Sequence, residues 1–159
     1  MTRVGVVGAA GKMGKTLVAM IRESPDLDLA AAVDQPGQQA IGQDAGTVAN
    51  VGETGVFIAD DLAQVVADID VLIDFTIAVA TEKSMEICHS AGTRMVIGTT
   101  GLSESQIVRL DEISSSVPVV FASNYSIGVN ATFQLVEMAA GIFGDTVDVE
   151  IIESHHRHK

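Results

Sequence analysis

Short, almost continuous apolar runs recur through the first part of the chain, at residues 3–7 (RVGVV), 29–33 (LAAAV), 71–75 (VLIDF), 95–98 (MVIG) and 117–122 (VPVVFA). Runs without polar alternation are those of parallel strands covered on both faces. Helical spacing fills the intervals. Residues 12–22 set Met13, Leu17, Met20 and Ile21 on one stripe, and residues 79–91 follow the third run. Residues 103–115 open with Ser-Glu-Ser-Gln, a capping-box sequence, then space Ile107, Leu110 and Ile113 for burial. This alternation predicts right-handed βαβ units and an α/β, doubly wound parallel sheet. Residues 35–55, rich in Gly, Gln and Ala, read as a long loop, with a short additional strand near 56–58.

The pattern changes near Ser126. Residues 127–143 read as a broad apolar helix ended by Gly144 in a C-cap position, and residues 147–151 (VDVEI) alternate apolar and acidic side chains. Period-2 alternation is that of a strand with one wet face, as in an antiparallel sheet. The division predicted is 1–126 for the α/β domain and 127–159 for the opening of a second, α+β domain. A helix and one strand cannot bury a core alone, so this second domain is incomplete.

Charge narrows the partners. With 9 Lys and Arg against 21 Asp and Glu, the net charge is −12, whereas nucleic-acid binding needs a basic face. The few cations are placed unevenly: Lys12 and Lys15 flank a glycine-rich turn, and Arg157 and Lys159 close the chain. No uninterrupted apolar run reaches the roughly 18–20 residues of a membrane span, and the N-terminus lacks the apolar core of a signal peptide. The single Cys88 forms no internal disulfide. A cytoplasmic protein without a membrane partner is the expectation.

The chemistry starts at VGVVGAAGKMGK, where Gly8, Gly11 and Gly14 fall between a strand and a helix. Gly8 permits a tight turn, Gly11 lets backbone approach a pyrophosphate, and Gly14 lets the helix lie close to the sheet. The helix N-terminus then presents free N–H groups and a positive dipole to phosphate. Asp34 ends the second apolar run, twenty residues after Gly14. An acid there accepts ribose hydroxyls and repels a 2′-phosphate, which favours NADH while leaving NADPH possible. Together these features predict a Rossmann-type dinucleotide domain.

Three more segments lie just past strand ends, where α/β sheets bind ligands: Asp74-Phe75-Thr76, Gly98-Thr99-Thr100-Gly101 and Ala122-Ser123-Asn124-Tyr125-Ser126. The glycines allow close approach, and the threonine hydroxyls suit an amide ligand such as nicotinamide. Glu153-Ser154-His155-His156-Arg157-His158-Lys159 ends the chain. Interrupted by Arg and Lys, it is unlike a purification tag, and without a Cys or carboxylate cluster at ligand spacing it predicts no metal. Imidazoles beside cations suit proton transfer to an anionic substrate. Cys88 reads as a buried, inert thiol, and its neighbour His89 points elsewhere on the helix, so the two form no dyad.

Taken together, GAAGKMGK, DFT, VIGTTG, SNYSIGVN and EIIESHHRHK resemble the 4-hydroxy-tetrahydrodipicolinate reductase (dihydrodipicolinate reductase) family of lysine and diaminopimelate biosynthesis, in matching order from near Val4 to Lys159. The resemblance implies a two-domain, usually tetrameric, NAD(P)H-dependent oxidoreductase acting on a small cyclic dicarboxylate. By position, Gly8, Ala9, Ala10, Gly11, Lys12 and Met13 would form the pyrophosphate turn and Asp34 would hold the adenine ribose. Gly98, Thr99 and Thr100, with Ala122, Ser123, Asn124 and Tyr125, would line the nicotinamide. His155 would be the proton donor and acceptor, Lys159 a second proton donor, and His156 a contact to a substrate carboxylate.

This chain departs from the family pattern in several places. Gln35 stands where many members carry Arg, Ile77 and Ala78 follow Asp-Phe-Thr where a proline is frequent, and Tyr125 replaces a common Phe. The family's chain continues past the position of Lys159 with a substrate-gripping segment, which implies that these residues alone bind cofactor with little or no turnover. Two other readings share the glycine turn and the acid but do not predict His-His-Arg-His-Lys. One is another two-domain NAD-dependent dehydrogenase, and the other is a nucleotide-sensing Rossmann module without chemistry.

Overall fold

A computed structural model describes residues 1–152 of the chain, which divides into two compact units, Met1–Ser123 and Asn124–Lys159. The first unit is built on six strands: β1 (Thr2–Val7), β2 (Leu27–Val33), β3 (Ile58–Ala59), β4 (Val71–Asp74), β5 (Arg94–Ile97) and β6 (Val119–Phe121). Their order is β3-β2-β1-β4-β5-β6, and every neighbouring pair is parallel. This is the doubly wound arrangement, with its switch of direction between β1 and β4. Helices α1 (Lys12–Glu23), α2 (Ala45–Ala49), α3 (Ala78–Ala91) and α4 (Glu104–Ser114) lie among the strands in chain order.

Two apolar clusters make the core. Val4, Val6, Val18, Ile21, Leu29 and Ala32 are among those forming one. Val33, Leu72, Met85, Met95, Ile97 and Ile113 are among those forming the other. Leu29 and Ala32 belong to one cluster although they are three apart. The reason is a register shift: Val4 pairs with Leu29 but Gly5 pairs with Ala31, so Ala30 is an extra residue that reverses the alternation of β2. At the same point a Cβ on Gly5 would meet Ile69 Cδ1 at 2.6 Å, so a side chain there would require Ile69 to shift.

The helices follow the predicted spacing, with changes that have local causes. The capping box of α4 is present: Ser103 Oγ accepts from the Gln106 amide and Gln106 Oε1 accepts from the Ser103 amide. Leu110 and Ile113 are buried as expected, but Ile107 is 40% exposed. In α1 the buried stripe is Gly14, Val18 and Ile21; Met13 and Met20 are exposed. The glycine decides this rotation. A Cβ on Gly14 would strike the Gly8 carbonyl oxygen and come within 2.6 Å of Ala9 Cα, so this position must face the preceding turn, and Met13 is carried about 100° away.

Two further expectations change. The segment 35–55 is not all loop, because Ala45–Ala49 forms a short helix. Asp44 organises it, accepting from the Thr47 amide at 2.9 Å, the Gly55 amide at 2.7 Å and the Thr54 amide at 3.1 Å. Five residues without an apolar stripe form a helix here because this carboxylate collects the donors on either side. The last apolar run is not covered on both faces: β6 is an edge strand, and Val120 and Phe121 are exposed while Val117 is buried.

The second unit contains α5 (Ile127–Phe143), capped by Ser126 Oγ, which accepts from the Val129 amide, and ended by Gly144 at φ +53°. None of its residues is buried. With the turn that follows, Ile127–Thr146 is long and apolar enough, by length and composition alone, to cross a bilayer, which counting uninterrupted apolar residues did not anticipate. Core helices of soluble proteins meet the same test, and Asn130, Gln134 and Glu137 interrupt the apolar surface here. Residues 147–151 form no strand among the described residues. An alternating segment becomes a strand only when a neighbour takes up its N–H and C=O groups, and no strand is found in 124–152.

Candidate functional site

One rung of the parallel sheet sets the site. Val33 pairs with Val7, Val7 with Asp74, Asp74 with Ile97, and Ile97 with Phe121. The residues that follow (Asp34, Gly8, Phe75, Gly98 and Ala122) therefore leave the sheet at one level along one edge, the C-terminal edge where such sheets bind ligands.

The first turn is tightly specified. Gly8 has φ +72°, a conformation that L side chains rarely adopt, and its carbonyl accepts from the Gly11 amide at 2.9 Å. A Cβ on Gly8 would also meet Thr76 Cγ2 at 2.8 Å, so the β4 loop closes over the turn. Gly11 precedes α1 with no side-chain cap, and the first turn of α1 holds no acid. Its N–H groups and dipole are thus open to an anion, with Lys12 exposed beside them. Ala9 is buried and donates to the Val33 carbonyl, while Met13 is 46% exposed.

Asp34 stands across from this turn. Its Oδ2 accepts from the Ala10 amide at 2.9 Å and its Oδ1 from the Gln35 amide at 2.8 Å. A carboxylate offers about four lone-pair positions, so two donors leave acceptor capacity for a ribose diol. The side chain is half-buried, and Gln35 beside it is exposed and brings no cation.

At the β4 and β5 ends the structure adds what the motifs did not reveal. Asp74 is 1% exposed, and its Oδ1 accepts from the Thr76 amide at 2.9 Å, the Thr76 hydroxyl at 2.6 Å and the Thr99 hydroxyl at 3.3 Å. Thr81, fully buried on α3, donates to Thr99 at 2.7 Å. The Thr99 hydroxyl therefore faces an interior network instead of an open crevice, while Thr100 is exposed. Gly98 is required for a reason other than ligand approach, because a Cβ there would strike the Phe75 ring. Gly101, at φ +78°, has open space where a Cβ would stand. The available sequence signal was an Asp closing an otherwise apolar strand, with threonines two, seven and twenty-five residues later.

Cys88 is buried against this region. Desolvation, and secondarily the Asp74 charge, push its thiol up to about 12, which fits the inert role read from its position. Ala122 donates to the Ile97 carbonyl at 3.2 Å, and Ser123 ends the first unit with an exposed side chain. Asn124 and Tyr125 belong to the second unit, where Asn124 Oδ1 accepts from the Ser126 amide at 2.8 Å. His155, His156 and Lys159 lie outside the described residues. Among the described residues no group of three or more His, Cys, Asp or Glu could hold a metal.

Comparison with known proteins agrees with this architecture. The family model "Dihydrodipicolinate reductase, N-terminus" matches residues 2–125. The 4-hydroxy-tetrahydrodipicolinate reductase of Acinetobacter baumannii is 50% identical over 157 residues, covering 99% of this chain and 57% of that protein. That of Alkalilimnicola ehrlichii is 51% identical over 158 residues, covering 99% and 59% respectively. The chain thus spans a little over half the length of these relatives. Among solved structures, dipicolinate-bound dihydrodipicolinate reductase from Paenisporosarcina sp. TG-14 aligns with TM-score 0.72 at 23% identity, over 88% of this chain and 54% of that one. Biliverdin reductase from Synechocystis aligns with TM-score 0.65 at 18% identity, over 91% and 44%. At such identities these structures speak for the Rossmann-type fold alone. With its family model matched from Thr2 to Tyr125 and half its residues shared with curated reductases, the chain belongs to the dihydrodipicolinate reductase family.

Proposed function

We propose that this chain binds a nicotinamide dinucleotide across the C-terminal edge of its sheet, as the cofactor half of an NAD(P)H-dependent 4-hydroxy-tetrahydrodipicolinate reductase. The observation that carries the reading is the pairing of an uncapped helix N-terminus at Gly11 with Asp34 across the turn. The positive end of α1 and Lys12 receive the pyrophosphate, and Gly8, Ala9, Ala10 and Met13 complete the turn around it. Asp34 accepts the adenosine ribose hydroxyls. Its charge, without a cation at Gln35, disfavours a 2′-phosphate, which supports NADH as the preferred cofactor over NADPH. On the same edge Thr100, Ala122 and Ser123 face the nicotinamide end, with Gly98 and the inward-turned Thr99 shaping the loop behind it; Asn124 and Tyr125 join them by their position in the family pattern.

The nicotinamide supplies a hydride to a cyclic dicarboxylic imine, and the charge that develops needs a proton. His155 and Lys159 supply it, and His156 holds a substrate carboxylate. These roles come from the position of His-His-Arg-His-Lys within the family pattern. Residues 127–159 open the substrate domain, the complete enzyme is a homotetramer, and lysine and diaminopimelate biosynthesis in the cytoplasm is its setting. The relatives' names and the Paenisporosarcina structure bound to dipicolinate, a planar dicarboxylate, support this substrate class.

Fluorescence titration of the purified chain with NADH and, in parallel, NADPH tests the reading. Saturable binding tighter for NADH is expected. Absence of saturable binding to either would overturn it, and tighter NADPH binding would overturn the preference assigned to Asp34.

A further inference from the structure

Asp74 concentrates its hydrogen bonds on one oxygen. Oδ1 takes three donors, while Oδ2 is buried and has no hydrogen-bond partner among the described residues. Keeping a carboxylate in that state is costly, because a buried acceptor without a donor loses its solvation with nothing in return. The hydroxyls around it are ordered by counting protons. Each threonine owns one hydroxyl proton. Thr81 donates its proton to Thr99, Thr99 donates to Asp74, and Thr76 donates to Asp74. The 3.4 Å approach of Thr76 to Thr81 therefore carries no proton, and the whole chain is directed by the carboxylate at its end.

The groups that Asp74 orders belong to segments that meet at the ligand edge. Thr76 packs its methyl where a Cβ on Gly8 would stand. Thr99 sits between Gly98 and the exposed Thr100, and Thr81 anchors the network to α3. One buried acidic side chain thus ties the glycine turn, the β4 loop and the β5 loop into one register. We propose that Asp74 is a positioning residue for the nicotinamide half of the bound dinucleotide. Through Thr76 and Thr99 it holds the 98–101 loop at a set distance from the pyrophosphate turn. The proposal rests on the dinucleotide reading above. A purely structural acid would affect every part of the ligand alike, whereas a positioning one separates the two halves.

The test compares NADH with ADP-ribose, which keeps the adenosine and pyrophosphate but lacks the nicotinamide. The full 159-residue chain and its Asp74→Asn and Thr81→Val variants are titrated with NADH by fluorescence and with ADP-ribose by calorimetry. Thr81 is fully buried, so it acts on the ligand only through its neighbours, and the one hydroxyl proton it owns goes to Thr99. Loss of one directed hydrogen bond predicts NADH affinity lowered about tenfold in each variant, with ADP-ribose affinity within about twofold of wild type. Equal losses for both ligands, or no loss of NADH affinity in Thr81→Val, would overturn the proposal. Should Asp74→Asn lose its far-ultraviolet dichroism, Thr81→Val decides alone. A wild-type chain that binds neither ligand would sink the dinucleotide reading and this inference with it. A wild-type chain that binds both keeps that reading, whatever the variants do.

Discussion

The Asp34 carboxylate accepts a hydrogen bond from the Ala10 amide at 2.9 Å, joining the end of β2 to the glycine turn across 24 residues of chain. A bond from an N–H to a carboxylate acceptor is stronger than a neutral one, and here it braces the glycine turn. The same side chain thus shapes the turn and, in the function proposed above, would also present acceptors to a ribose.

Replacing Asp34 by Ala removes both functions. NADH affinity is expected to fall about tenfold or more, from the loss of two ribose hydrogen bonds and of the brace. NADPH loses less, because the repulsion of its 2′-phosphate is removed as well. Parallel fluorescence titrations measure both. An unchanged NADH-to-NADPH ratio would show that Asp34 does not set the preference.

Gly14→Ala is expected to destabilise the protein by about 1–3 kcal/mol, the range for overpacking a filled site. The gain in helix propensity on replacing Gly by Ala, about 1 kcal/mol, acts in the opposite direction but is smaller here. The new methyl would meet backbone, Gly8 O and Ala9 Cα, which cannot swing aside as a flexible side chain would. A thermal midpoint several degrees lower should follow. A variant as stable as wild type would mean that α1 does not rest on the turn as described.

Asp44 carries a pH dependence. Its pKa is lowered from 3.8 to about 2, first by the Thr47 amide and then by the Thr54 and Gly55 amides, against desolvation. A carboxyl held below its unfolded value stabilises the fold above that value and loses the contribution as pH falls through the folded one. The stabilisation is therefore complete above 3.8 and disappears toward about 2. Thermal midpoints of wild type and Asp44→Asn across this range should converge as pH falls. A gap that stays constant would remove the carboxylate's charge from the account.

Cys88 should resist thiol reagents. Its residue is fully buried and its thiol is pushed up to about 12, so little thiolate exists near pH 8. Modification by a colourless alkylating agent, followed by mass spectrometry, should be slow in the native protein and fast in denaturant. Native labelling at the rate of a free thiol would show that the α3 face opens readily.

Much of the fold was legible because its determinants are local. Apolar runs and 3.6-residue spacing specify element type within a few residues, and the capping box at Ser103 marked the start of α4. Residues 45–49 were not legible, since that helix depends on donors from Thr54 and Gly55, beyond its own end. Residues 147–151 carry the right alternation for a strand, but pairing is a property of two segments.

The sequence by itself determined the parallel α/β architecture, the place of the glycine turn at Gly8–Gly14, and the acid at the end of β2. These follow from periodicity, from backbone freedom and from residue type, all carried by near neighbours. Tertiary structure alone decided that Gly14 instead of Met13 faces the glycine turn, that Asp34 braces Ala10, and that Thr99 turns inward to Thr81 and Asp74. A helix's rotation and a polar group's partner depend on what a distant segment brings to the same rung, and spacing along one chain does not encode that.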